Sequence, residues 1–370
     1  MVVMNLKLNN FYAFKNFQMN MSYPKKIVDS FIENEHLVDR PNFRYKKINI
    51  IMGSNATGKS SIGNALMSIF VFITRKEYTW LVENICDKSR SASFSIDIVL
   101  ANAKLYRIEA LVSPCKDEEY KSTDIEVSVK AININKNDSY EKCIKRLEAK
   151  PFFRGDSYIE SLEQVKEPLS WLFSYAMERD MPRKENIDDD YLNVLEYTLK
   201  ALDSSIVKVE KVENVEGSYF IQTKHEKLLV QDGEIVKEKV LSSGTRAGLD
   251  IAYVVSSIKN KDHGFYYCDE KFSFVHSDIE KTFLSLMISS LTGDAQLFFT
   301  THNADILDLS LPRHSFVFLK KDADNNEEPI KCVQASDYIK RNTDSLRNAV
   351  DNDLFAVAPS LDLIYKIDAL

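Results

Sequence analysis

Residues 4–22 alternate apolar and polar positions, with Leu6, Leu8, Phe17, Met19 and Met21 on one face. That period of two predicts a pair of strands joined around residues 9–16. Residues 24–40 are polar and mixed, and predict a helix or loop insertion ending near Pro41. Ile48-Asn49-Ile50-Ile51-Met52 reads as a buried strand. A helical spacing follows at Ile62, Ala65, Leu66, Ile69, Phe70 and Ile73, and continues with a break to Ile85. Residues 94–100 and 105–111 alternate as strands around a hairpin turn, Ala101-Asn102-Ala103-Lys104, and residues 125–134 give a further strand.

The pattern changes near residue 140. Residues 140–148 and 157–203 carry helical spacings, as at Leu162, Val165, Leu169, Leu172, Phe173 and Ala176, and again at Tyr191, Val194, Leu195, Thr198, Leu199 and Leu202. The acidic stretch 185–190 separates two of these predicted helices. No heptad is sustained, so the expectation is a compact helical insertion over 140–205 and not a long coiled coil. Residues 206–236 return to strands with a turn at Asp232-Gly233, and 249–258 is helical again. This divides the chain into 1–139, the insertion 140–205, 206–320 and an extension 321–370. The fold class expected is α/β: mixed β-sheets around a phosphate-loop core, interrupted by helices.

Composition narrows the function classes. The chain has 370 residues, 44% hydrophobic and 28% charged, with 10 Gly and 9 Pro, so long disordered linkers are not expected. The net charge of −7 and the lack of a basic block argue against a general nucleic-acid coat; contact with DNA would need a local patch and is left open. Cys86, Cys115, Cys143, Cys268 and Cys332 are scattered and form no C-x-x-C pair, which argues against a zinc site or a disulfide framework. No apolar run reaches membrane-spanning length. A soluble cytoplasmic protein without a membrane partner is expected.

Four short stretches carry chemistry. The first is Gly53-Ser54-Asn55-Ala56-Thr57-Gly58-Lys59-Ser60, between the strand and the helix. This is the context in which G-x-x-x-x-G-K-[ST] binds phosphate. The glycines let backbone N–H groups approach the anion, and the helix N-terminus faces it. Gly53, Asn55, Gly58, Lys59, Ser60 and Ser61 are the candidate nucleotide-binding residues, with Lys59 reaching the β- and γ-phosphates of ATP and Ser60 offering its hydroxyl to Mg2+. The second is Tyr266-Tyr267-Cys268-Asp269-Glu270, an apolar strand ending in two acids. Asp269 is the candidate Mg2+-shell residue, and Glu270 the candidate base that orients and deprotonates the attacking water. A strand that simply ends at a solvated acidic turn is the competing reading; its position downstream of a phosphate loop favours chemistry. The third is Leu241-Ser242-Ser243-Gly244-Thr245-Arg246, opening a helix, where Ser242, Ser243 and Gly244 offer an anion site or a plain helix cap. The fourth is Leu297-Phe298-Phe299-Thr300-Thr301-His302, in which His302 at a strand end is a candidate sensor of the γ-phosphate.

The order of these four stretches resembles that of the ABC-class ATPases. The third is similar to their L-S-G-G-Q signature, with Ser243 at the first glycine and Thr245 at the glutamine. His302 resembles their switch histidine. The opening run, Leu6 to Phe17, resembles the first strands of SMC, RecF and OLD-type ATPases. Val275-His276-Ser277 after Glu270 is similar to the D-E-x-x-x-x-L-H-P stretch of the OLD-like AAA group, without its proline. The likeness covers 4–20, 47–70 and 240–305. It supplies no Q-loop glutamine; Gln164 is the one candidate.

The resemblance implies ATP and Mg2+ as cofactors, with ATP bound between two copies of the chain. One copy supplies the phosphate loop and the other Ser242, Ser243 and Gly244, in a head-to-tail dimer or a higher oligomer such as a hexamer. Several members of this group are ATPase subunits of bacterial anti-phage systems. The implied partners are therefore a separately encoded effector, of the Toprim nuclease type, and a phage protein as trigger. Two other readings compete. A self-contained OLD-like nuclease would need further metal-holding acids. Asp322 and Asp324 are the only candidates, in a turn that reads better as charged surface, and the stretch after His302 is short for an added domain. A RecF- or SMC-like DNA repair ATPase is disfavoured by the acidic balance and the missing coiled coil.

Overall fold

The computed structural model describes the whole chain except residues 28–29, 176–186, 214, 233, 236–241, 323–324, 340–343, 356–366 and 368–370. Leu241 of the signature stretch, Gly233, Ala323-Asp324, part of the acidic stretch 185–190 and most of the tail therefore lie outside the described residues.

The chain opens with the strands β1 (Val2–Asn9) and β2 (Phe17–Asn20), then a small hairpin, β3 (His36–Leu37) and β4 (Arg40–Arg44). No helix forms among the described residues of 24–40, and Pro41 lies within β4 rather than at the end of an insertion. A two-stranded edge tolerates a proline because no ladder hydrogen bond is required of it there. Next come β5 (Ile48–Met52), α1 (Lys59–Arg75), the single turn α2 (Thr79–Val82), and β6 (Ala92–Leu100), β7 (Lys104–Val112) and β8 (Ile125–Asn133). Strands β2-β1-β6-β7-β8 form one antiparallel sheet.

The segment 140–205 is only partly helical. α3 (Tyr140–Glu148), α4 (Tyr158–Leu162) and α5 (Asp189–Leu202) match the spacing, but Trp171–Tyr175 is a strand, β9. It pairs in parallel with β14 (Phe265–Asp269), matching Asp269 to Tyr175, and so belongs to the core sheet. The described end of the acidic stretch starts a helix: Asp188 caps α5, accepting from the Tyr191 amide at 2.8 Å, and Asp189 and Asp190 occupy its first turn. Negative charge is favourable there, against the positive end of the helix dipole.

A second antiparallel sheet follows, β10 (Ile206–Lys211), β11 (Ser218–Thr223), β12 (Lys227–Gln231) and β13 (Glu234–Ile235). Then come α6 (Ser243–Asn260), β14, α7 (Ser277–Ser290), β15 (Gln296–Thr300), β16 (Phe316–Lys321) and β17 (Ile330–Gln334), closed by the short α8 (Ala335–Tyr338) and α9 (Leu346–Asp351). The core sheet runs β17-β16-β5-β15-β14-β9. All its pairings are parallel except β16 with β17.

Helix α1 lies between the two large sheets. Leu66, Ile69, Phe70, Phe72 and Ile73 pack with Ile96 and Ile108 of the antiparallel sheet and with Tyr267 and Phe298 of the core sheet. Each fully buried side chain of this kind contributes about 1.5–3 kcal/mol. The opposite face of the core sheet packs on α6 and α7 through Ile251, Val255, Leu284 and Met287. The small sheet and α5 form a separate cluster around Leu195, Tyr219 and Ile221. Part of the tail docks on its own head, Phe355 stacking on Phe318 with ring centroids 4.1 Å apart. Among the described residues no helix is long and apolar enough to cross a membrane.

Candidate functional site

The parallel strands β5, β14 and β15 end on the same side, where ligands bind in open α/β sheets. The loop after β5 is tightly confined. A Cβ on Gly53 would meet the Leu319 carbonyl oxygen and the Thr57 hydroxyl, both at 2.7 Å. Gly58 caps α1 at φ +96, and a Cβ there would meet the Phe14 ring at 2.9 Å. Both glycines are thus dictated by space, Gly58 also by its left-handed backbone. Asn55 and Ser60 are exposed and Ser61 half-buried.

Lys59 is not the surface donor its place at a loop suggests. It is 4% exposed, and its Nζ donates to the carbonyls of Gly53 at 3.0 Å and Ser54 at 3.2 Å. The ammonium also lies 3.5 Å from Glu270 Oε1. Burial lowers the Lys59 pKa, and the Glu270 carboxylate opposes that shift. The Tyr267 hydroxyl donates to the Lys59 carbonyl at 2.7 Å, tying α1 to β14. A Cβ on Gly63 would lie 2.6 Å from the Tyr267 ring, so this glycine sets how closely helix and strand approach.

The acids at the end of β14 are held by Thr300. Its hydroxyl donates to Asp269 Oδ1 at 2.7 Å and accepts from the Glu270 amide at 3.0 Å. Glu270 adopts φ +47, an uncommon backbone state for a residue with a side chain and one concentrated at functional sites. Asp269 is 4% exposed, and burial raises its pKa; the hydroxyls of Thr300 and Ser60, both hydrogen-bonded to it, pull the other way. Glu270 Oε1 also lies 2.7 Å from His302 Nε2. Lys59, Ser60, Asp269, Glu270 and His302 are therefore brought together, from three strand ends far apart in sequence.

Three supporting residues carried no signal of their own in the sequence. Glu280 is buried on α7; it accepts from Thr301 at 2.6 Å and Asn303 at 2.7 Å, fixing both neighbours of His302. Burial raises its pKa. Lys271 is buried beside Glu270, pairs with Asp250 of α6 and donates to the Tyr175 carbonyl of β9. Thr300 was visible only as part of the Thr-Thr-His ending.

The signature stretch stands apart. Ser242 caps α6, its Oγ accepting from the Thr245 amide at 3.1 Å. Thr245 is 1% exposed and donates to Asp203 at 3.1 Å, so the residue in the place of the signature glutamine is structural. Ser242 and Ser243 are exposed and Gly244 half-buried, with a Cβ on Gly244 only 3.3 Å from the Phe274 carbonyl oxygen. No described contact joins Ser242, Ser243 or Gly244 to the phosphate loop. Gln164 sits in the turn after α4, its amide on the Ser161 carbonyl at 3.3 Å, and no described contact brings it to Lys59 or Glu270.

The residues present fit a nucleotide and a hard cation. Ser60 and Asp269 put a hydroxyl beside a carboxylate, the donor pair that Mg2+ takes when phosphate and water complete its shell. Among the described residues no group of three or more His, Cys, Asp and Glu could hold a metal alone.

No family model matches the sequence, and no curated protein does. Solved structures match its shape. The SMC head bound to the C-winged helix domain of ScpA aligns with a TM-score of 0.54 at 14% identity, over 92% of this chain and 100% of that one. The Smc head with an extended coiled coil, bound to the C-terminal domain of ScpA from Pyrococcus furiosus, aligns at 0.50 and 12% identity, over 90% and 97%. The chain has the fold of an ABC-type ATPase head, as the order of its motifs leads one to expect.

Proposed function

We propose that this chain binds and hydrolyses ATP with Mg2+, and that two copies close over the nucleotide to switch a separate effector. The observation that carries it is the meeting of Lys59, Ser60, Asp269, Glu270 and His302 at the ends of adjacent parallel strands. In this reading the loop amides and Lys59 hold the phosphates. Ser60 and Asp269 hold the cation. Glu270 takes a proton from water, and His302 at 2.7 Å orients that carboxylate and reports on the γ-phosphate. Ser242, Ser243 and Gly244 of the second copy complete the site. The test is ATP turnover with light scattering. Glu270→Gln keeps the shape and removes the base, so it should bind ATP, hydrolyse it poorly and accumulate as a dimer or larger assembly. Turnover at the wild-type rate in Glu270→Gln overturns the assignment.

The finer reading is an anti-phage sensor that restrains a Toprim-type nuclease, triggered by a phage protein. Its support is the resemblance of the Asp-Glu-Lys-Phe-Ser-Phe stretch, 269–274, to the AriA ATPase subunit of the PARIS system. The chain is then not the effector itself. Incubation of the purified chain with DNA or RNA, ATP and Mg2+ or Mn2+ should leave both intact. Cleavage lost in Asp322→Ala/Asp324→Ala but kept in Glu270→Gln would revive the self-contained nuclease. The SMC-head fold favours a second reading, a DNA-maintenance ATPase. Stimulation of hydrolysis by DNA would support it.

A further inference from the structure

Lys46 is buried, 4% exposed, just ahead of β5. Its Nζ donates to the Asn20 carbonyl at 2.9 Å, its one described hydrogen-bond partner, and no carboxylate among the described residues lies within ion-pair distance. An ammonium has three donors. A charge buried without a counter-ion costs stability, and an apolar residue of similar length would serve the fold better. Burial pushes its pKa down to about 8. The Asp337 carboxylate, which lies beyond ion-pair distance, opposes that shift.

Lys46 lines a cavity of about 600 Å³, a size that accommodates drug-like molecules. Tyr23, Tyr140 and Ile144 supply apolar wall, and the lysines Lys25 and Lys145 line it together with the acids Glu141, Glu148 and Asp337. Gln334 also lines it, and its Oε1 is buried with no hydrogen-bond partner among the described residues. The cavity is distinct from the phosphate loop: from Lys46 to Gly53 the extended chain covers roughly 20 Å at about 3.3 Å per residue.

We infer that this cavity is a second ligand site, which takes a small organic acid: its anionic group seats on the Lys46 ammonium and its flat or aliphatic body packs on Tyr23, Tyr140 and Ile144. The ligand supplies the contact ion pair that no described carboxylate makes with Lys46. A hydroxyl or N–H on it satisfies Gln334.

The test is a fluorescence titration of the full chain with 8-anilinonaphthalene-1-sulfonate, an aromatic anion, with benzoate as competitor and with saturating ATP and Mg2+ as control. One saturable site is expected, displaced by benzoate and indifferent to ATP. Lys46→Met should weaken it at least tenfold, and so should Ile144→Trp, which fills the cavity. Lys46→Met should melt at the wild-type temperature or above. Unchanged binding in both variants overturns the proposal, as does displacement by ATP. A Lys46→Met chain that melts several degrees lower would assign Lys46 a structural role and also overturn it. Should that variant not fold, Ile144→Trp decides.

Discussion

Lys59 does two jobs at the level of single residues. It is placed to hold phosphate, and it ties the carbonyls of Gly53 and Ser54 together across the loop. Lys59→Ala should therefore lower ATP affinity roughly 10- to 100-fold, the loss of one or two charge-assisted hydrogen bonds, and also loosen the loop. Calorimetry on the folded variant checks this, and unchanged affinity would reject the loop assignment. Glu270→Gln should cut hydrolysis roughly 10²- to 10⁴-fold with ATP still bound, the range for a lost general base, measured by single-turnover assay. Lys46 gives a pH dependence with a definite sign. Its folded pKa of about 8 lies below the ordinary 10.5, so this group binds more protons in the unfolded chain between those values, and its contribution to stability rises with pH across that window. The gain is of order 3 kcal/mol. Cys332, pushed up from 9.0 to about 12 by burial, works in the opposite sense above pH 9.0, and Tyr23 and Tyr140, raised above 10.0, do so at higher pH, but all three are common to both chains and cancel in the comparison. The melting temperature of the wild type relative to Lys46→Met should rise between pH 8 and 10; a flat difference contradicts it.

Among the elements, the contact of α1 with β14 positions the site. A Gly63→Ala chain must move Tyr267 or the helix, since its Cβ starts 2.6 Å from the ring. Overpacking of this kind costs about 1–3 kcal/mol. It should also part Ser60 from Asp269, so calorimetric Mg2+-ATP affinity and melting temperature should fall together. The elements around the loop were legible because their signals are local: an apolar run, a glycine-bounded loop, a helical period. Strand β9 was not. Leu169, Leu172 and Phe173 fall at i, i+3 and i+4, and a five-residue edge strand that is half-buried along most of its length has no alternation to betray it. The β3–β4 hairpin was hidden by its polar composition and its proline. Asp188, Asp189 and Asp190 read as a separator because acids break a helix pattern in composition, yet they start one in structure.

At the scale of the molecule, the exposed Ser242 and Ser243 await a partner surface in the proposed assembly. Gly244→Arg should block the composite site while leaving the phosphate loop intact. Mixed with Lys59→Ala subunits, it should restore part of the turnover, because one site per mixed dimer keeps both halves. Absence of rescue, with mixed dimers shown to form, counts against action in trans. The five clustered site residues were readable from sequence because each ends a strand or opens a helix with a distinctive dipeptide or loop. Glu280 and Lys271 were not, because an acid on the polar side of a helix and a lysine in a turn look like solvent-facing charge until the tertiary packing buries them. Local pattern carries no information on which distant segments will cover a side chain.

The core sheet has a consequence in time. Ile50 of β5, the strand that feeds the phosphate loop, is matched to Phe299 on one side and Phe316 on the other. At a synthesis rate of roughly 5–20 residues per second, the ribosome needs roughly 10–50 s to deliver those neighbours after β5 emerges. Through that interval both edges of an apolar strand stay open, a template for pairing with other chains. A nascent chain stalled short of residue 316 should thus be able to close its first antiparallel sheet yet hold its nucleotide loop unformed, dependent on a chaperone until the last strands arrive.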